Sequence, residues 1–346
     1  MNKICIFTLY DTKGASSKYR IIQFVEPLSK EFDVFFSPFW NNEYATKYMH
    51  NKRKYFIPIT FFYLKGAIKR LFQLLCIAPK ADIVFFQKTC IPKSKINLIK
   101  GLRKKGIKIV FDIDDAVYIY DNDCSKKIAS LSDLVICGNE TLWDYYSKYC
   151  SNSIIIPTVE NTLLFERYYQ DTFTNKKIGW IGNQTTIANL EIVVEAINTV
   201  ISHHPEVSFD IISNTALDYP DRIKNCRLIQ WSENDYFKYL ADFSIGIMPL
   251  ADNEFNRGKC GFKLVQYLNM KKPVVASDIG VNRDIVGESG LLANTVTEWI
   301  ESLEVLLFDR SLYNKCIRNI EDEFLNRYHF SSAVNMLVSS LKDLLN

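Results

Sequence analysis

Two lysines and an amide near the middle of the C-terminal half are spaced so that they could bind an anion. Lys259, Lys263 and Gln266 stand at offsets of four and three residues in a segment of helical spacing, so they share one helix face. Gly258 and Gly261 would let the backbone approach a ligand at the start of that helix. A helix N-terminus carries partial positive charge, to which the lysines add full charges. The pattern predicts an anion site, and a surface helix with solvated lysines is the alternative.

A cluster of carboxylates lies in residues 111–118, which read FDIDDAVY. Asp112 stands near the end of a predicted strand, and Asp114 and Asp115 come just after it. Carboxylates at a strand end can bind sugar hydroxyls, activate an acceptor hydroxyl or hold a metal ion. The residues alone leave these three roles open.

The first residues of the chain predict a further ligand-binding turn, in which a loop containing Gly14 joins a strand to a helix. Loops that follow strand C-termini form the binding crevice of open parallel sheets. Ser16 or Ser17 is the expected N-cap of the helix, and Arg20 falls on its first turn. No G-x-G-x-x-G occurs, so a nicotinamide or flavin fingerprint is not supported. The predicted elements are a strand over residues 3–9, a loop over 10–17 and a helix over 18–30.

The predicted strands and helices form two successive alternating series along the chain, and these elements would position the groups named above. The length of 346 residues accommodates two domains of ordinary size. Apolar runs such as residues 243–248 suit buried parallel strands, and the alternation restarts at residue 177 after a polar segment. Further strands are predicted over 32–36, 82–87, 107–113, 133–137, 153–157, 177–181, 207–213, 227–231 and 273–276. Helices are predicted over 93–105, 139–149, 186–202, 259–270, 297–308 and 311–324, with a last helix capped by Ser331 or Ser332.

These motifs resemble those of family-four glycosyltransferases, which have the GT-B fold. The likeness is greatest to a bacterial polysaccharide-assembly subgroup with a GKC-FK-(I/L)(E/Q)Y(M/L) segment followed by PVVAS. This chain reads GKCGFKLVQYL and then PVVAS. The resemblance covers essentially the whole chain and is strongest over residues 258–267, 111–118 and 16–23.

The resemblance implies an α/β architecture of two Rossmann-like domains with a deep cleft between them. The first domain would bind the acceptor and the second the nucleotide-sugar donor, and a C-terminal helix would pack back on the first domain. A linker is expected over residues 157–165. The implied boundaries are residues 1–160, 161–328 and 329–346.

The same resemblance implies the reaction. A sugar would pass, with retention of anomeric configuration, from a UDP- or GDP-sugar to a hydroxyl of a glycan or lipid-linked saccharide in capsule or lipopolysaccharide assembly. No cofactor or metal is expected, because lysines would supply the positive charge. Residues 112–114 also match the metal-binding D-x-D of the other major glycosyltransferase fold, but the two strand–helix halves disfavour that fold. Asp114, Asp115 and Arg20 would be the catalytic residues of the first domain.

The resemblance also implies the donor-binding positions. In the family, the loop after the first strand of the second domain leads to charged diphosphate contacts, whereas here that loop is neutral. The family's ribose-binding glutamate corresponds to Gln266, and its partner glutamate corresponds to Gly258, so Asp252 or Glu254 would replace the missing contacts. The implied donor site comprises Gly182, Asn183, Thr185, Trp231, Gly258, Lys259, Gly261, Phe262, Lys263 and Gln266, and the acceptor-side loop comprises Gly14, Ser16 and Ser17.

The composition limits the kinds of binding partner and the cellular compartment that are expected for this protein. A formal net charge of only +3 carries no nucleic-acid signature. Nine cysteines without a C-x-x-C pair predict reduced thiols in a cytoplasmic protein. No signal peptide and no apolar run of the ~20 residues needed to span a bilayer are evident.

Residues 44–81 contain no Asp or Glu and interleave basic with apolar residues. Such a basic amphipathic stretch suits an anionic membrane surface. Peripheral attachment to the inner leaflet, where a lipid-linked acceptor would lie, is the hypothesis; a helix packed on the N-terminal sheet with a basic outer face is the alternative. The predicted apolar face is Leu64, Ile68, Leu71 and Leu75, and Lys65, Lys69 and Gln73 lie opposite.

Two other functions stay open from the sequence. A catalytically silent GT-B subunit that binds nucleotide or scaffolds a partner transferase would account for Gln266 and for the neutral loop at Gly182. A nucleotide-sugar 2-epimerase shares the double fold, but its usual carboxylate and histidine set is not evident. Incubation with nucleotide sugars, with and without acceptors, would separate these functions.

Overall fold

The chain forms two compact units. The N-terminal unit comprises Met1–Val159 together with Ser331–Asn346, and the C-terminal unit comprises Glu160–Phe330. The computed structural model describes residues 1–48, 53–92, 98–120, 124–161, 165–215 and 218–346. Parts of three predicted segments lie outside these residues, namely 49–52 of the basic stretch, 93–97 of a predicted helix and 162–164 of the predicted linker.

A six-stranded parallel sheet, ordered β2-β1-β3-β4-β5-β6, forms the centre of the N-terminal unit. Its inner strands are rich in β-branched and aromatic residues and are buried on both faces, as expected where helices cover both sides of a sheet. The strands are β1 Lys3–Tyr10, β2 Asp33–Trp40, β3 Ile83–Gln87, β4 Lys108–Ile113, β5 Leu134–Cys137 and β6 Ser153–Ile155.

The helix after β1 begins earlier than predicted. Gly14 occupies the N-cap position, and neither Ser16 nor Ser17 caps the helix. The N-cap prediction is wrong because the Ser17 hydroxyl is buried and donates to Gln87 Oε1 at 2.6 Å. Helical segments of this unit are Ala15–Ser17, Lys18–Ile22 (a π-helical turn), Gln23–Ser29, Tyr44–Tyr48, Phe56–Phe72, Gln73–Ile77, Ile99–Arg103, Ser125–Ala129 and Glu140–Tyr146.

A second six-stranded parallel sheet, ordered β12-β11-β10-β7-β8-β9, forms the centre of the C-terminal unit. The sequence patterns predict five of its strands and miss β12, which has three residues and is only partly buried. The strands are β7 Lys177–Ile181, β8 Ser208–Ser213, β9 Cys226–Gln230, β10 Ile245–Met248, β11 Val274–Ala276 and β12 Gly290–Leu292.

Helices flank the second sheet. A capping box, in which Thr295 Oγ1 accepts from the backbone of Glu298 and the Glu298 side chain reaches back, starts one of them. The last helix of the chain begins at Phe330, so the predicted cap at Ser331 or Ser332 is wrong. The helical segments of the C-terminal unit are Glu166–Tyr168, Phe173–Asn175, Ile187–Val193, Val194–His203, Tyr219–Arg222, Tyr236–Asp242, Glu254–Arg257, Phe262–Asn269, Asn282–Val286, Val296–Phe308, Arg310–Asn319, Ile320–Phe324 and Leu325–Arg327. The last helix, Phe330–Asp343, belongs from Ser331 onward to the N-terminal unit.

Each sheet has a point where the strand order reverses. In the N-terminal unit the reversal lies between β1 and β3, and in the C-terminal unit between β7 and β10. Ligands of open parallel sheets bind at the carboxyl ends of the strands beside such a reversal. Lys88, which follows β3, and Gly182, which follows β7, stand beside these two reversals.

Two sequence predictions concern the state of the cysteines and the ability of the helices to cross a membrane. All nine cysteines are free thiols. Within the described parts of the chain, no helix has the length and hydropathy needed to cross a bilayer.

Candidate functional site

The helix Phe262–Asn269 begins beside the strand reversal of the C-terminal unit. Gly261, its N-cap, has a φ of +61°, a conformation that glycine adopts without strain. A Cβ at Gly261 would also overlap the side chain of Ile285. Glycine is therefore required here both for the backbone turn and for the close packing, and the turn leaves the first N–H groups of the helix at its open end.

Tyr267 fixes this helix over the ends of two strands. The Ile181 N–H donates to Tyr267 Oη at 2.9 Å, and the Tyr267 hydroxyl donates to the Ile247 carbonyl at 3.2 Å. The ring lies against Gly246, where a Cβ would overlap it. One buried side chain thus ties the helix to β7 and β10 together and holds its first turn at the carboxyl end of β7.

Lys263 lies on that first turn, with its Nζ 5.5 Å from the centre of the Trp180 ring. Lys263 is half-buried and forms no hydrogen bond or ion pair with any residue that the structure describes. Burial, with a smaller contribution from Lys259, lowers the pKa of its ammonium to about 7. The Lys259 Nζ lies 4.5 Å from the centre of the Phe255 ring. An anion close to Lys263 would favour the charged form of this ammonium.

The loop after β7 lies at the same edge of the sheet. A Cβ at Gly182 would overlap the indole of Trp180, so only glycine fits against the ring that Lys263 also approaches. Asn183 Oδ1 accepts hydrogen bonds from the backbone N–H and the hydroxyl of Thr185, at 3.0 and 2.7 Å. The loop is thus a tight turn held by its own side chains, and it carries no charge.

Gln266 lies in a place that the sequence does not predict. Its carboxamide is buried and donates from Nε2 to Glu160 Oε2 at 2.9 Å. Tyr236 donates to the other oxygen of Glu160 at 2.6 Å, and Trp231 stacks on Tyr236 with ring centres 6.0 Å apart. Gln266 therefore does not share a solvent face with the lysines. Its nitrogen donates to Glu160, and its Oε1 is the acceptor of the same carboxamide.

The remaining predicted donor residues surround the start of the helix. Gly258 is buried with a φ of −85°, which any residue can adopt, and Phe262 is half-buried as the first residue of the helix. Asp252 forms two hydrogen bonds with Arg257, at 2.7 and 2.9 Å, on the surface. Glu254 is also exposed, and the choice between Asp252 and Glu254 as the substitute contact stays a prediction.

A second polar cluster lies at the strand reversal of the N-terminal unit. Lys88 follows β3 and contacts both predicted carboxylates: its Nζ lies 2.9 Å from Asp114 Oδ1 and forms a short bond to Asp115 Oδ2. Burial lowers the pKa of Lys88, but the two carboxylates more than compensate, so that its pKa is raised. The backbone of Lys88 has a φ of +60°, a strained conformation for a residue with a side chain.

The acceptor-side loop contacts this cluster through serine hydroxyls. Ser16 Oγ donates to Asp114 Oδ2 at 2.6 Å and accepts from Gln87 Nε2 at 3.1 Å. Ser17 accepts from the Tyr10 backbone N–H at 3.0 Å. A Cβ at Gly14 would overlap the Tyr10 side chain. Residues at the ends of β1, β3 and β4 thus form one hydrogen-bonded cluster.

Part of the sequence resembles a known protein family, and the fold of the whole chain resembles known structures. Residues 175–309, within the C-terminal unit, match the model of the family described as glycosyl transferases group 1. No curated protein matches the chain significantly in sequence. The structure resembles Anabaena Alr3699/HepE in complex with UDP, over 99% of this chain and 100% of that one, with 12% identity and a TM-score of 0.70.

Two synthases show the same likeness. Sucrose-phosphate synthase from Thermosynechococcus elongatus matches over 100% of this chain and 99% of its own, with 11% identity and a TM-score of 0.71. The α,α-trehalose 6-phosphate synthase from Burkholderia multivorans matches over the same shares, with 11% identity and a TM-score of 0.69. The chain has the GT-B fold. The fold predicted from the motifs is confirmed, and the finer assignment to family four and its subgroup stays a prediction.

Arg20 lies in the helical turn Lys18–Ile22, as predicted, but its side chain is buried. Its guanidinium is buried and pairs with both carboxylate oxygens of Asp112, one through a short bond and one at 3.3 Å. It also donates to the Ile156 carbonyl at 2.6 Å. The cavity around it is lined by apolar side chains, including Phe24 and Leu337. These bonds join β4 to the segment after β6, and the catalytic role of Arg20 stays a prediction.

The D-x-D pattern is divided between two cations. The Asp112 carboxylate faces Arg20, whereas Asp114 faces Lys88. A shared metal needs both carboxylates on one ion. Among the described residues no group of three His, Cys, Asp or Glu side chains could hold a metal. The donor set at residues 112–114 does not fit a metal site.

Two residues of this GT-B chain are missed by the sequence analysis. Lys88 follows a predicted strand directly, and its position at a strand end was a usable signal. Glu160 lies 106 residues before its partner Gln266, and no local pattern marks it. Both charges are visible in the sequence, but their partners are set by the fold.

Proposed function

We propose that this chain is a retaining glycosyltransferase that moves a sugar from a nucleotide-diphosphate sugar to a hydroxyl acceptor. The match of residues 175–309 to group 1 glycosyl transferases supports glycosyl transfer. The structurally similar Alr3699/HepE was solved with UDP, and separately with UDP and glucose, which supports a UDP-sugar as the donor.

The observation that carries the proposal is the half-buried ammonium of Lys263. It has no anionic partner among the described residues, it lies on the first turn of a helix, and Lys259 adds a second cation. A diphosphate supplies the missing negative charge and can accept from N–H groups at the start of the helix. Within the same unit, Trp231 offers a flat wall for a base and Gln266 Oε1 an acceptor for a ribose hydroxyl.

The lysines would act mainly on the leaving group. When the bond between the sugar C1 and the diphosphate oxygen breaks, negative charge grows on the diphosphate. Lys259, Lys263 and the helix N-terminus are already oriented toward such charge, so they stabilise the transition state without reorganising. They supply the positive charge that a metal supplies in other transferases, and we propose that transfer is metal-independent.

The acceptor side is assigned to the cluster around Lys88. Asp115 keeps 30% of its side chain exposed, whereas Asp114 keeps 12% and is held by Ser16. Asp115 is thus better placed to reach a substrate hydroxyl, and Asp114 to orient Lys88. We propose a glycan or lipid-linked saccharide as acceptor, in cell-surface polysaccharide assembly at the cytoplasmic face of the membrane.

A silent nucleotide-binding subunit is the second candidate. The neutral loop at Gly182 and the amide at Gln266 favour it, because both positions lack charges that the resemblance leads one to expect. The chain should be incubated with UDP- and GDP-sugars, with and without lipid-linked saccharides, and nucleotide release followed. Acceptor-dependent release supports transfer. Tight nucleotide binding without turnover on any acceptor would assign the silent role instead.

Replacing Lys88 with methionine tests the acceptor-side assignment. The change removes the cation between Asp114 and Asp115, so the two carboxylates repel each other and lose their orientation. We expect transfer to slow about 10- to 100-fold, the usual cost of misplacing a reacting group, while UDP affinity stays unchanged. The measurement is kcat for sugar transfer beside the Kd for UDP. An equal loss of kcat and of UDP affinity would show that Lys88 does not belong to the acceptor site.

Lys263 also predicts a pH dependence of nucleotide binding. Its pKa is about 7 without ligand, and a bound diphosphate favours the charged form and raises that pKa. Below pH 7 the ammonium is already charged; above it, binding must take up a proton. The Kd for UDP should therefore rise about tenfold per pH unit above 7, up to the pKa of the complex. The phosphate ionises at about pH 6 and adds little in this range.

Lys263→Arg is the matched control for the pH profile. Arginine keeps its charge throughout this range, so the variant should bind UDP with nearly constant affinity as the pH rises. Titrations in parallel by tryptophan fluorescence give both profiles. A flat profile in the parent protein would contradict a role for the Lys263 proton.

A further inference from the structure

The helix Phe56–Phe72 in the N-terminal unit exposes large apolar side chains on its outer side and buries an arginine on its inner side, next to half-buried Phe62 and Tyr63. Its inner side carries Gly66 and Arg70, and Gln73 continues that side into the next turn. The Arg70 guanidinium is fully buried, donates to the Ser37 carbonyl at 3.0 Å and lies 4.5 Å from the centre of the Phe7 ring. A surface helix ordinarily turns such polar groups outward and its apolar residues inward.

The outer side of this helix is a continuous apolar stripe. Its side chains are between 54% and 80% exposed, although each is a large aliphatic or aromatic group. They recur at steps of three and four residues, which is the spacing of one helix face. We call this set the apolar stripe; it consists of Ile57, Phe61, Leu64, Ile68, Phe72 and Leu75.

The structure changes which residues form the apolar face predicted from the sequence. Leu64, Ile68 and Leu75 are exposed as expected, but Leu71 is half-buried. Gln73, predicted on the opposite basic face, is buried and donates to the Ser37 hydroxyl at 2.8 Å. The stripe is wider than predicted because Ile57, Phe61 and Phe72 belong to it. A large exposed apolar patch on a folded unit marks a binding surface rather than a core.

The charges around the stripe favour one kind of partner. Residues 44–81 contain no Asp or Glu, and Lys65 stands exposed at the edge of the stripe. Exposed Arg53, Lys54 and Lys80 lie near its two ends. A second copy of the chain, packed stripe to stripe about a two-fold axis, would bring these cations together with no acid from the segment to pair them. An anionic lipid surface matches both the apolar stripe and its basic border.

We propose that the apolar stripe inserts into the interface of an anionic lipid bilayer, with the helix lying parallel to the membrane plane. From Ile57 to Leu75 the stripe is roughly 27 Å long at 1.5 Å per residue. Side chains of this kind reach about 5–10 Å into the headgroup and acyl boundary. Arg53, Lys54, Lys65 and Lys80 then contact the phosphates of anionic headgroups. The buried Arg70 and Gln73 hold the helix to the sheet, so it is presented as a rigid face.

This inference goes beyond glycosyl transfer and does not depend on it. Membrane binding is measured without a sugar donor, and UDP binding without a membrane, so either can fail while the other holds. If both hold, the chain works at the surface where a lipid-linked saccharide lies.

Vesicle flotation of the full chain tests the proposal. We expect the protein to float with vesicles of phosphatidylcholine and phosphatidylglycerol and to remain behind with phosphatidylcholine alone. The variant Ile68→Asp/Phe72→Asp should lose at least ~30-fold in partition, because two apolar side chains are replaced by charges that the lipid repels. Lys54→Glu/Lys65→Glu should lose binding in the same direction and should reduce its dependence on salt.

The matched control is Val305→Asp/Met336→Asp, which charges two exposed apolar residues outside the stripe. It should float like the parent protein, and all variants should keep the parent's UDP affinity and melting temperature. Equal flotation of the stripe variant and the control overturns the proposal, as does failure of the parent protein to float. Sedimentation adds a further outcome: a parent dimer that the stripe variant converts to a monomer would show that a second copy covers the stripe.

Discussion

Replacing Lys263 with alanine is expected to weaken UDP binding by about 1.5–3 kcal/mol, the range for a charge-assisted hydrogen bond, or about 10- to 150-fold in Kd. The reason is the position of its ammonium. It is half-buried beside Trp180 and has no counter-charge among the described residues, so the bound diphosphate gains an interaction that water does not already satisfy. Quenching of tryptophan fluorescence gives the dissociation constant directly.

Two comparisons make the Lys263 result specific. Lys315→Ala removes an exposed lysine of the same unit that pairs with Glu288 at 2.9 Å, and it should leave the Kd unchanged. Uridine, which lacks the diphosphate, should bind Lys263→Ala and the parent protein equally. If UDP also binds both proteins equally, Lys263 has no part in the site and the proposed function loses its main support.

Replacing Arg20 with methionine is expected to destabilise the N-terminal unit by about 3–5 kcal/mol, because it leaves the buried carboxylate of Asp112 without its cation. Burial already raises the pKa of Asp112, and Arg20 opposes that rise. Urea unfolding followed by circular dichroism should show a lower midpoint. Arg103→Met, which breaks the exposed pair with Asp133, should cost at most about 1 kcal/mol.

The double variant Arg20→Met/Asp112→Leu distinguishes the loss of the ion pair from the cost of leaving the Asp112 carboxylate buried and unpaired. Removing both partners takes away the buried carboxylate as well, so most of the lost stability should return. UDP affinity should be the same in all three variants, because the substituted residues belong to the N-terminal unit and the proposed UDP site to the C-terminal unit. A double variant no more stable than Arg20→Met would show that packing, rather than charge, makes Arg20 important.

The sequence predicted most elements of the two sheets because their signal is local. Strands such as β3 and β10 are short apolar runs, closed by Gln87 in β3 and followed by Pro249 after β10, and this pattern survives in any parallel sheet covered on both faces. It failed for β12, whose three residues are too few to show a period. It also failed at Ser16 and Ser17, because hydroxyls that can cap a helix can equally bond to Gln87 in the core.

The sequence by itself determined which groups stand at strand ends and helix starts: the lysines at 259 and 263, the carboxylates at 114 and 115, and the glycine at 261 that the turn requires. Only the tertiary structure decided which charge meets which. Arg20 and Asp112 are 92 residues apart, and Gln266 and Glu160 are 106 apart. The exposed apolar side of the helix Phe56–Phe72 is recognisable only once its buried side is known. Which charges pair depends on their distance in space. The separation of two residues in the sequence predicts that distance within one or two turns of a helix, but not between strands that the sheet brings together.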